Sequence, residues 1–339
     1  MKNITKASQL LKAGLIDPEK LKAIEKVAEK FSISLTPQVL QMMQTGSEGD
    51  KAAIAQQFVP SEQELSITTS ESKDPIGDDV YMQVKGIVHR NSDRCLLMPL
   101  LACPVYCRFC FRREKVGSNS KALSEAELQS ALTYIAEHKE LWEVILTGGD
   151  PLMLNPKKLS QILQALDNIA HVEVIRIHTR VPIFDSNRIT DQMMQALKIN
   201  KAVYVALHAN HPSELTERAQ KACARFVDAG IPMLSQTVLL KGINDTPEIM
   251  GELMRALVKN RIKPYYLHQG DLAEGTAHFR TTVKEGQALM KSLRSRHSGL
   301  CQPTYVLDIP GGFGKVPIGH THFKEGTVED YQGNFHSYG

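Results

Sequence analysis

The rhythm of apolar and polar positions changes near residue 95. Before it, apolar residues recur at helical spacing in short stretches. Ile16-Asp17-Pro18-Glu19 predicts a helix start, with Asp17 as N-cap and Pro18 at the first helical position, and Leu21, Ile24, Val27 and Ala28 form the apolar face that follows. Thr36-Pro37 opens another helix in the same way, carrying Val39, Leu40 and Met43. Between about residues 60 and 80 the segment SEQELSITTSESKDPIGDD is polar and turn-rich, a connector. From residue 95 short apolar runs alternate with helical patterns. Strands are predicted at 95–102, 143–147, 172–178, 202–208, 231–240 and 263–269, with helices near 124–138, 157–168, 189–198, 213–229, 246–260 and 283–297. Six βα units in succession imply a parallel sheet with helices on one side, curled as a partial barrel or laid open. A last strand, 304–308, runs into Ile309-Pro310-Gly311-Gly312-Phe313-Gly314-Lys315. Three segments are expected: 1–80 helical extension and connector, 81–300 barrel, 301–339 C-terminal strand and loop.

In parallel α/β sheets chemistry collects at the carboxyl ends of the strands. Here those ends carry Gly148-Gly149-Asp150, His178-Thr179-Arg180, His208-Ala-Asn210-His211, Gln236, and Tyr266-Leu-His268-Gln-Gly-Asp271. Polar groups delivered to one rim by every strand are hard to explain as packing.

The first strand end is the most informative. The run Cys95–Ala102 leads into Cys103-Pro-Val-Tyr-Cys107-Arg-Phe-Cys110-Phe-Arg112-Arg113, a CxxxCxxC loop. Three thiolates this close are ligands for a soft metal centre. Structural zinc wants a fourth ligand and usually paired CxxC knuckles; a redox disulfide is the other alternative. A four-iron cluster held by three cysteines leaves one iron open to a small molecule. Cys95, Cys223 and Cys301 lie in apolar surroundings and read as buried thiols.

Composition narrows the classes. The 339 residues are 42% hydrophobic, enough for a full core, and the formal net charge of +3 argues against nucleic acid or a membrane surface as partner. No run of 18 apolar residues appears, and the N-terminus MKNITKASQLLKAGL lacks the apolar core of a signal peptide. Clustered cysteines point to metal binding rather than a disulfide framework, and an oxygen-sensitive cluster points to the cytoplasm.

The cysteine spacing resembles that of the radical S-adenosylmethionine (SAM) superfamily, and the whole motif resembles the lysine 2,3-aminomutase family within it. That resemblance implies a partial (β/α)6 radical-SAM barrel, with a [4Fe-4S] cluster on Cys103, Cys107 and Cys110 whose open iron binds SAM. It also implies that Gly148, Gly149 and Asp150 meet SAM at a glycine-rich strand end, with His208 and Gln236 lining the same pocket. Asp308-Ile-Pro310-Gly311-Gly312-Phe313-Gly314-Lys315 resembles the family's PGGGGK loop, with Phe313 in place of one glycine. The implied role of Lys315 is the covalent linkage to pyridoxal 5′-phosphate, a task for a mobile amine on an open loop. Arg90 and Arg94 match arginines near that cofactor. Arg112 matches the arginine that binds the substrate α-carboxylate, a bidentate task suited to guanidinium. Asp271 and Asp308 match the two aspartates that bind the ε-ammonium. Two carboxylates in one pocket repel unless a cation sits between them, which favours lysine over glutamate.

The implied reaction starts when SAM, cleaved by one electron, yields a radical that takes hydrogen from Cβ of L-lysine. The 2-amino group then moves to C3 and gives β-lysine. Flavodoxin or ferredoxin would supply the electron, and a homo-oligomer is compatible with the family. The resemblance covers residues 75–335. The larger family members bind zinc through further cysteines; here Thr246 follows Asn244-Asp245 where they have cysteine, and no cysteine follows Cys301, so no zinc is expected. In length the chain is similar to the short aminomutases that make β-lysine for elongation factor P, although DIPGGFGK departs from their pattern. The competing readings are an aminomutase for another amino acid such as glutamate, a radical SAM enzyme without pyridoxal phosphate, and a non-catalytic iron–sulfur or zinc protein.

Overall fold

The computed structural model describes residues 2–117, 122–330 and 332–337; residues 118–121 of the central segment, and 331, 338 and 339 of the C-terminal one, lie outside it. Four helices come first: α1 Ala7–Lys12, α2 Leu21–Lys30, α3 Pro37–Met42 and α4 Glu48–Phe58. Thr36 caps α3 as predicted, and its hydroxyl also donates to Phe184 O at 2.6 Å, which fastens the extension to the barrel. Asp17 behaves differently from the prediction. It stands at the N-cap position before a short 3-10 turn, Pro18–Lys20, but its side chain makes no capping bond and instead pairs with Lys20 at 3.0 Å. A lysine three residues on competes directly for the carboxylate.

A ten-stranded sheet dominates the remainder, its strands adjacent in chain order. Strands β1 Met82–Val84 and β2 Ile87–Asn91 form an antiparallel edge on β3 Arg94–Leu100. From β3 onward β4 Glu143–Gly148, β5 Val174–Thr179, β6 Ala202–His208, β7 Met233–Val238, β8 Ile262–His268 and β9 Thr304–Asp308 run parallel. The last strand of the sheet, β10 Lys315–Pro317, returns antiparallel to β9. The sixth βα unit thus ends on a seventh parallel strand. A separate three-stranded sheet, β11 Phe323–Lys324, β12 Thr327–Glu329 and β13 Phe335–Ser337, follows.

The crossover helices are α5 Glu125–Glu137, α6 Pro156–Asp167, the short α7 Val181–Phe184 and α8 Asp191–Ala196, α9 Glu217–Asp228, α10 Pro247–Lys259 and α11 Val283–Arg296. All but α7 start on a Ser, Thr or Asn whose side chain accepts from the N3 backbone N–H: Ser124, Asn155, Thr190, Thr216, Thr246 and Thr282. Their apolar faces, such as Leu159, Ile162, Leu163 and Leu166 of α6, are buried against strand residues such as Val144, Leu146, Ile175 and Ile177. The N-terminal helices join the same core through Leu10, Ile24, Leu35 and Phe58. Cys95, Cys223 and Cys301 are buried free thiols, as the sequence implied. Among the described residues, no helix is long and apolar enough to cross a membrane.

Candidate active site

Two close approaches hold the cluster loop to the rim. At the end of β4, Gly149 N–H donates to Leu100 O and Asp150 N–H to Ala102 O, both at 2.9 Å. A Cβ at Gly149 would lie 2.3 Å from Ala102 O, so only glycine lets the end of β4 lie against the start of the cysteine loop. Asp150 then fastens β4 to β5. One oxygen accepts from Leu152 N–H (3.1 Å) and Thr179 Oγ1 (2.8 Å), the other from Arg180 N–H (2.7 Å) and Val181 N–H (3.1 Å). Burial pushes its carboxyl up to about 6 despite those bonds.

The loop after β3 carries Cys103, Cys107 and Cys110, all unpaired and half-buried. Burial, then the neighbouring acidic groups, pushes the Cys103 thiol well above its usual range, and burial with Cys107 pushes Cys110 up to about 11. Three thiols this close, with burial opposing ionisation of Cys103 and Cys110, fit a multivalent iron centre, whose charge would compensate the thiolates. The loop is clamped from beneath by Glu64, a connector residue only 1% exposed. Its carboxylate accepts from Arg108 Nε (3.0 Å) and Nη2 (2.5 Å) and from Arg113. Arg113 also donates to Arg108 O and Gly275 O and lies 3.6 Å over the Phe31 ring. Glu64 was not legible in the sequence, where SEQEL is one more polar stretch.

Around the rim, His208 sits in contact with the ring of Phe109, and its buried Nε2 has no partner among the described residues. Burial and Arg180 hold its imidazole well below its ordinary range, hence neutral. Gln236, opposite His208 in the register of β6 and β7, has its Nε2 3.3 Å from His178 Nε2. Neutral polar groups near the cysteine loop fit a SAM-sized ligand.

The second half of the site forms where β8, β9 and β10 meet. Lys315 opens β10 directly opposite Asp308, and its Nζ bonds to the Asp308 carboxylate and lies 3.2 Å from His268 Nδ1. Burial resists ionisation of Asp308, but His268 and Lys315 override it and hold the carboxyl well below the usual range. The glycine loop explains its own composition. Gly311, Gly312 and Gly314 have φ of +80°, +87° and +94°, whereas Phe313 does not adopt a positive φ and points to solvent at 77% exposure. Phenylalanine therefore sits at the loop position that does not demand glycine.

This loop packs on residues 77–81: a Cβ on Gly312 would meet Tyr81 at 2.5 Å. That contact brings the connector into the site. Asp78, 1% exposed, receives Arg112 Nε at 2.7 Å and Arg90 Nη2 at 3.0 Å. Asp78 went unrecognised in the sequence, where DPIGDD reads as a turn. The bond through Nε leaves the outer Nη edge of Arg112 for a ligand. Arg90 keeps a buried Nε without a partner, and Asp271 a buried Oδ1, among the described residues. Burial first and Asp308 second push Asp271 up to about 7, so the two aspartates share one field. A lysine, an arginine with an orphaned donor and a carboxylate with an orphaned oxygen fit pyridoxal phosphate bearing a cationic amino acid. Arg94, at the amino end of β3, bonds Asp93 at 2.6 Å and Asn91 at 3.1 Å and none of these groups.

Comparison with known proteins agrees with this geometry. The Radical SAM superfamily profile matches residues 98–254. The chain is 41% identical to the L-lysine 2,3-aminomutase of Methanococcus maripaludis over 90% of its own length and 70% of that protein's. Against the L-lysine 2,3-aminomutase of Acetoanaerobium sticklandii it is 38% identical over 93% and 76%. A glutamate 2,3-aminomutase from Clostridioides difficile is 35% identical over 93% and 74%. With that identity across most of both chains, this protein belongs to the lysine 2,3-aminomutase family of radical SAM proteins.

Proposed function

We propose that the protein is an isomerase that moves the 2-amino group of L-lysine to C3, giving β-lysine. Its cofactors are a [4Fe-4S] cluster, SAM and pyridoxal 5′-phosphate. When bound, the cluster and SAM supply the means of abstracting a hydrogen atom, and pyridoxal phosphate supplies a π-system over which the unpaired electron spreads as nitrogen moves. Cys103, Cys107 and Cys110 hold the cluster; Gly148, Gly149, His208 and Gln236 line the SAM side. Lys315 carries pyridoxal phosphate, with Arg90 beside it. The chain's own work is orientation and exclusion of water.

The observation that carries the lysine reading is the pair Asp271 and Asp308. Asp271 is raised to about 7 by burial and by Asp308, and one of its oxygens is buried without a partner among the described residues. An ammonium group between these carboxylates removes both costs at once; a second carboxylate, as in glutamate, would add a third like charge. Arg112 is suited to the α-carboxylate at the other end of the substrate, held in place through its Nε by Asp78.

The electron comes from a one-electron donor such as flavodoxin or ferredoxin, and the enzyme works in the cytoplasm. Competition between L-lysine and L-glutamate, with product identified by NMR, tests the substrate. Lysine is expected to be the one converted, and Asp271→Asn to lower its kcat/KM by about 100-fold, the cost of a buried ammonium that loses one of its two carboxylates. Preferential conversion of glutamate overturns the assignment.

A further inference from the structure

Arg180, at the end of β5, has none of the roles above, yet every edge of its guanidinium is held within the site. Its side chain is 8% exposed. Nη1 donates to Cys107 Sγ at 2.8 Å, Nε to His208 O at 3.1 Å, and Nη2 to Glu214 Oε2 at 2.9 Å and Gln57 Oε1 at 3.3 Å. The rings of Phe184, Phe58 and Phe109 surround it at 4.5, 5.3 and 5.7 Å. Its backbone N–H is fixed by Asp150. The carboxylate that balances its charge is itself immobile: Glu214, fully buried, accepts from Gln57 Nε2 at 2.8 Å and Asn210 N–H at 3.2 Å. Every edge of the guanidinium is spent, and one edge is spent on sulfur.

We propose that Arg180 is a positioning residue that raises the reduction potential of the iron–sulfur cluster through a charge-assisted N–H···S bond to the Cys107 thiolate. The proposal rests on the reading of Cys103, Cys107 and Cys110 as cluster ligands. Reduction adds one electron to the cluster, and part of that charge resides on the cysteinyl sulfurs. A donor bonded to such a sulfur stabilises the reduced form more than the oxidised one, and so raises the potential. The effect is strong where water is excluded, as it is between three aromatic rings. The cluster must receive one electron before it can cleave SAM, so this bond sets how strong an external donor must be. It also fixes Cys107 against the end of β6, which places the sulfur and the neutral His208 in one unit.

The test uses full-length protein reconstituted anaerobically with iron and sulfide. Arg180→Met alone leaves Glu214 unpaired, so the comparison is Glu214→Gln against Glu214→Gln with Arg180→Met. Iron and sulfide content and the cluster's visible absorption establish that the cluster is present in each. Failure to bind a cluster in the wild-type protein would sink the ligand assignment itself. With the cluster present, an EPR-monitored titration should show the double variant harder to reduce. At a fixed solution potential the ratio of reduced to oxidised cluster is expected to fall about tenfold, a shift of about 59 mV for one electron. The same variant should lose the hyperfine coupling of an exchangeable proton close to the cluster. An intact cluster with an unchanged midpoint potential in the double variant overturns the proposal and leaves the ligand assignment standing. Arg180→Lys should restore part of the potential, because it keeps the charge and a donor without the fork.

Discussion

The Lys315 amine is bonded to Asp308, its cross-strand partner in the pairing of β10 with β9. One carboxylate thus faces the amine assigned to pyridoxal phosphate and is itself assigned to the substrate's ammonium. The two assignments are compatible in sequence. With Lys315 engaged by pyridoxal phosphate, Asp308 would be free to accept the substrate's ammonium in its place. Replacing Lys315 with Ala should abolish the absorbance near 410–420 nm, roughly where a lysine-bound pyridoxal absorbs. Removing the amine leaves Asp308, 12% exposed, with His268 alone, so stability should fall by about 1–3 kcal/mol. Retained absorbance at that band would move the cofactor to another amine.

Asp271 gives the cofactor-free protein a pH signature. Its folded pKa is raised, to about 7 from an ordinary 3.8, so the folded state holds a proton that the unfolded state has lost between those values. Stability contributed by this group therefore falls as pH rises from about 4 to 7 and stays low above it. Asp271→Asn should be nearly neutral at pH 4 and should raise the melting midpoint by about 3 °C at pH 8, the shift for roughly 1 kcal/mol. An equal change at both pH values would mean that burial, not ionisation, sets the cost.

Gly149→Ala tests the contact between β4 and the cysteine loop. Its Cβ would meet the Ala102 carbonyl at 2.3 Å, and neither backbone can yield without breaking the bonds at Leu100 and Ala102. A loss of about 2–4 kcal/mol is expected, together with poor iron incorporation on reconstitution. Normal iron content in this variant would separate the glycine from cluster assembly.

Glu64→Gln removes the charge that two buried arginines share. Buried pairs broken on one side lose about 3–5 kcal/mol, and denaturation in urea should show that loss, with Arg108 and Arg113 left facing a neutral amide. A change under 1 kcal/mol would mean water reaches the clamp.

Much of this was legible before any coordinates. The seven parallel strands lie within two or three residues of the predicted runs, because each is largely apolar and bounded by turns, and all but the last lead to a helix whose cap is spelled out in Ser, Thr or Asn, β5 by way of the short α7. The cysteines announced themselves by spacing, the glycine-rich strand end and the lysine loop only by their resemblance to the lysine 2,3-aminomutase family. What escaped were residues whose partners are distant in sequence. Asp78 and Glu64 sit in a connector that looks like solvated chain, yet they reach Arg112 and Arg108, 34 and 44 residues away. Strand β1 is three residues long and β2 is half polar, too short for an alternation to register. Arg180 was visible as a polar rim residue, but nothing in its neighbours foretold a bond to Cys107, 73 residues earlier.

Radical chemistry at this site is proposed to act on lysine. That is tested most directly by incubating the anaerobically reconstituted enzyme with L-lysine, SAM, pyridoxal phosphate and a strong reductant, and reading the position of the amino group by NMR. β-Lysine is the expected product, formed only when all the cofactors are present. Steady release of 5′-deoxyadenosine without any β-lysine would contradict it, because the pocket of Arg112, Asp271 and Asp308 would then hold some other substrate.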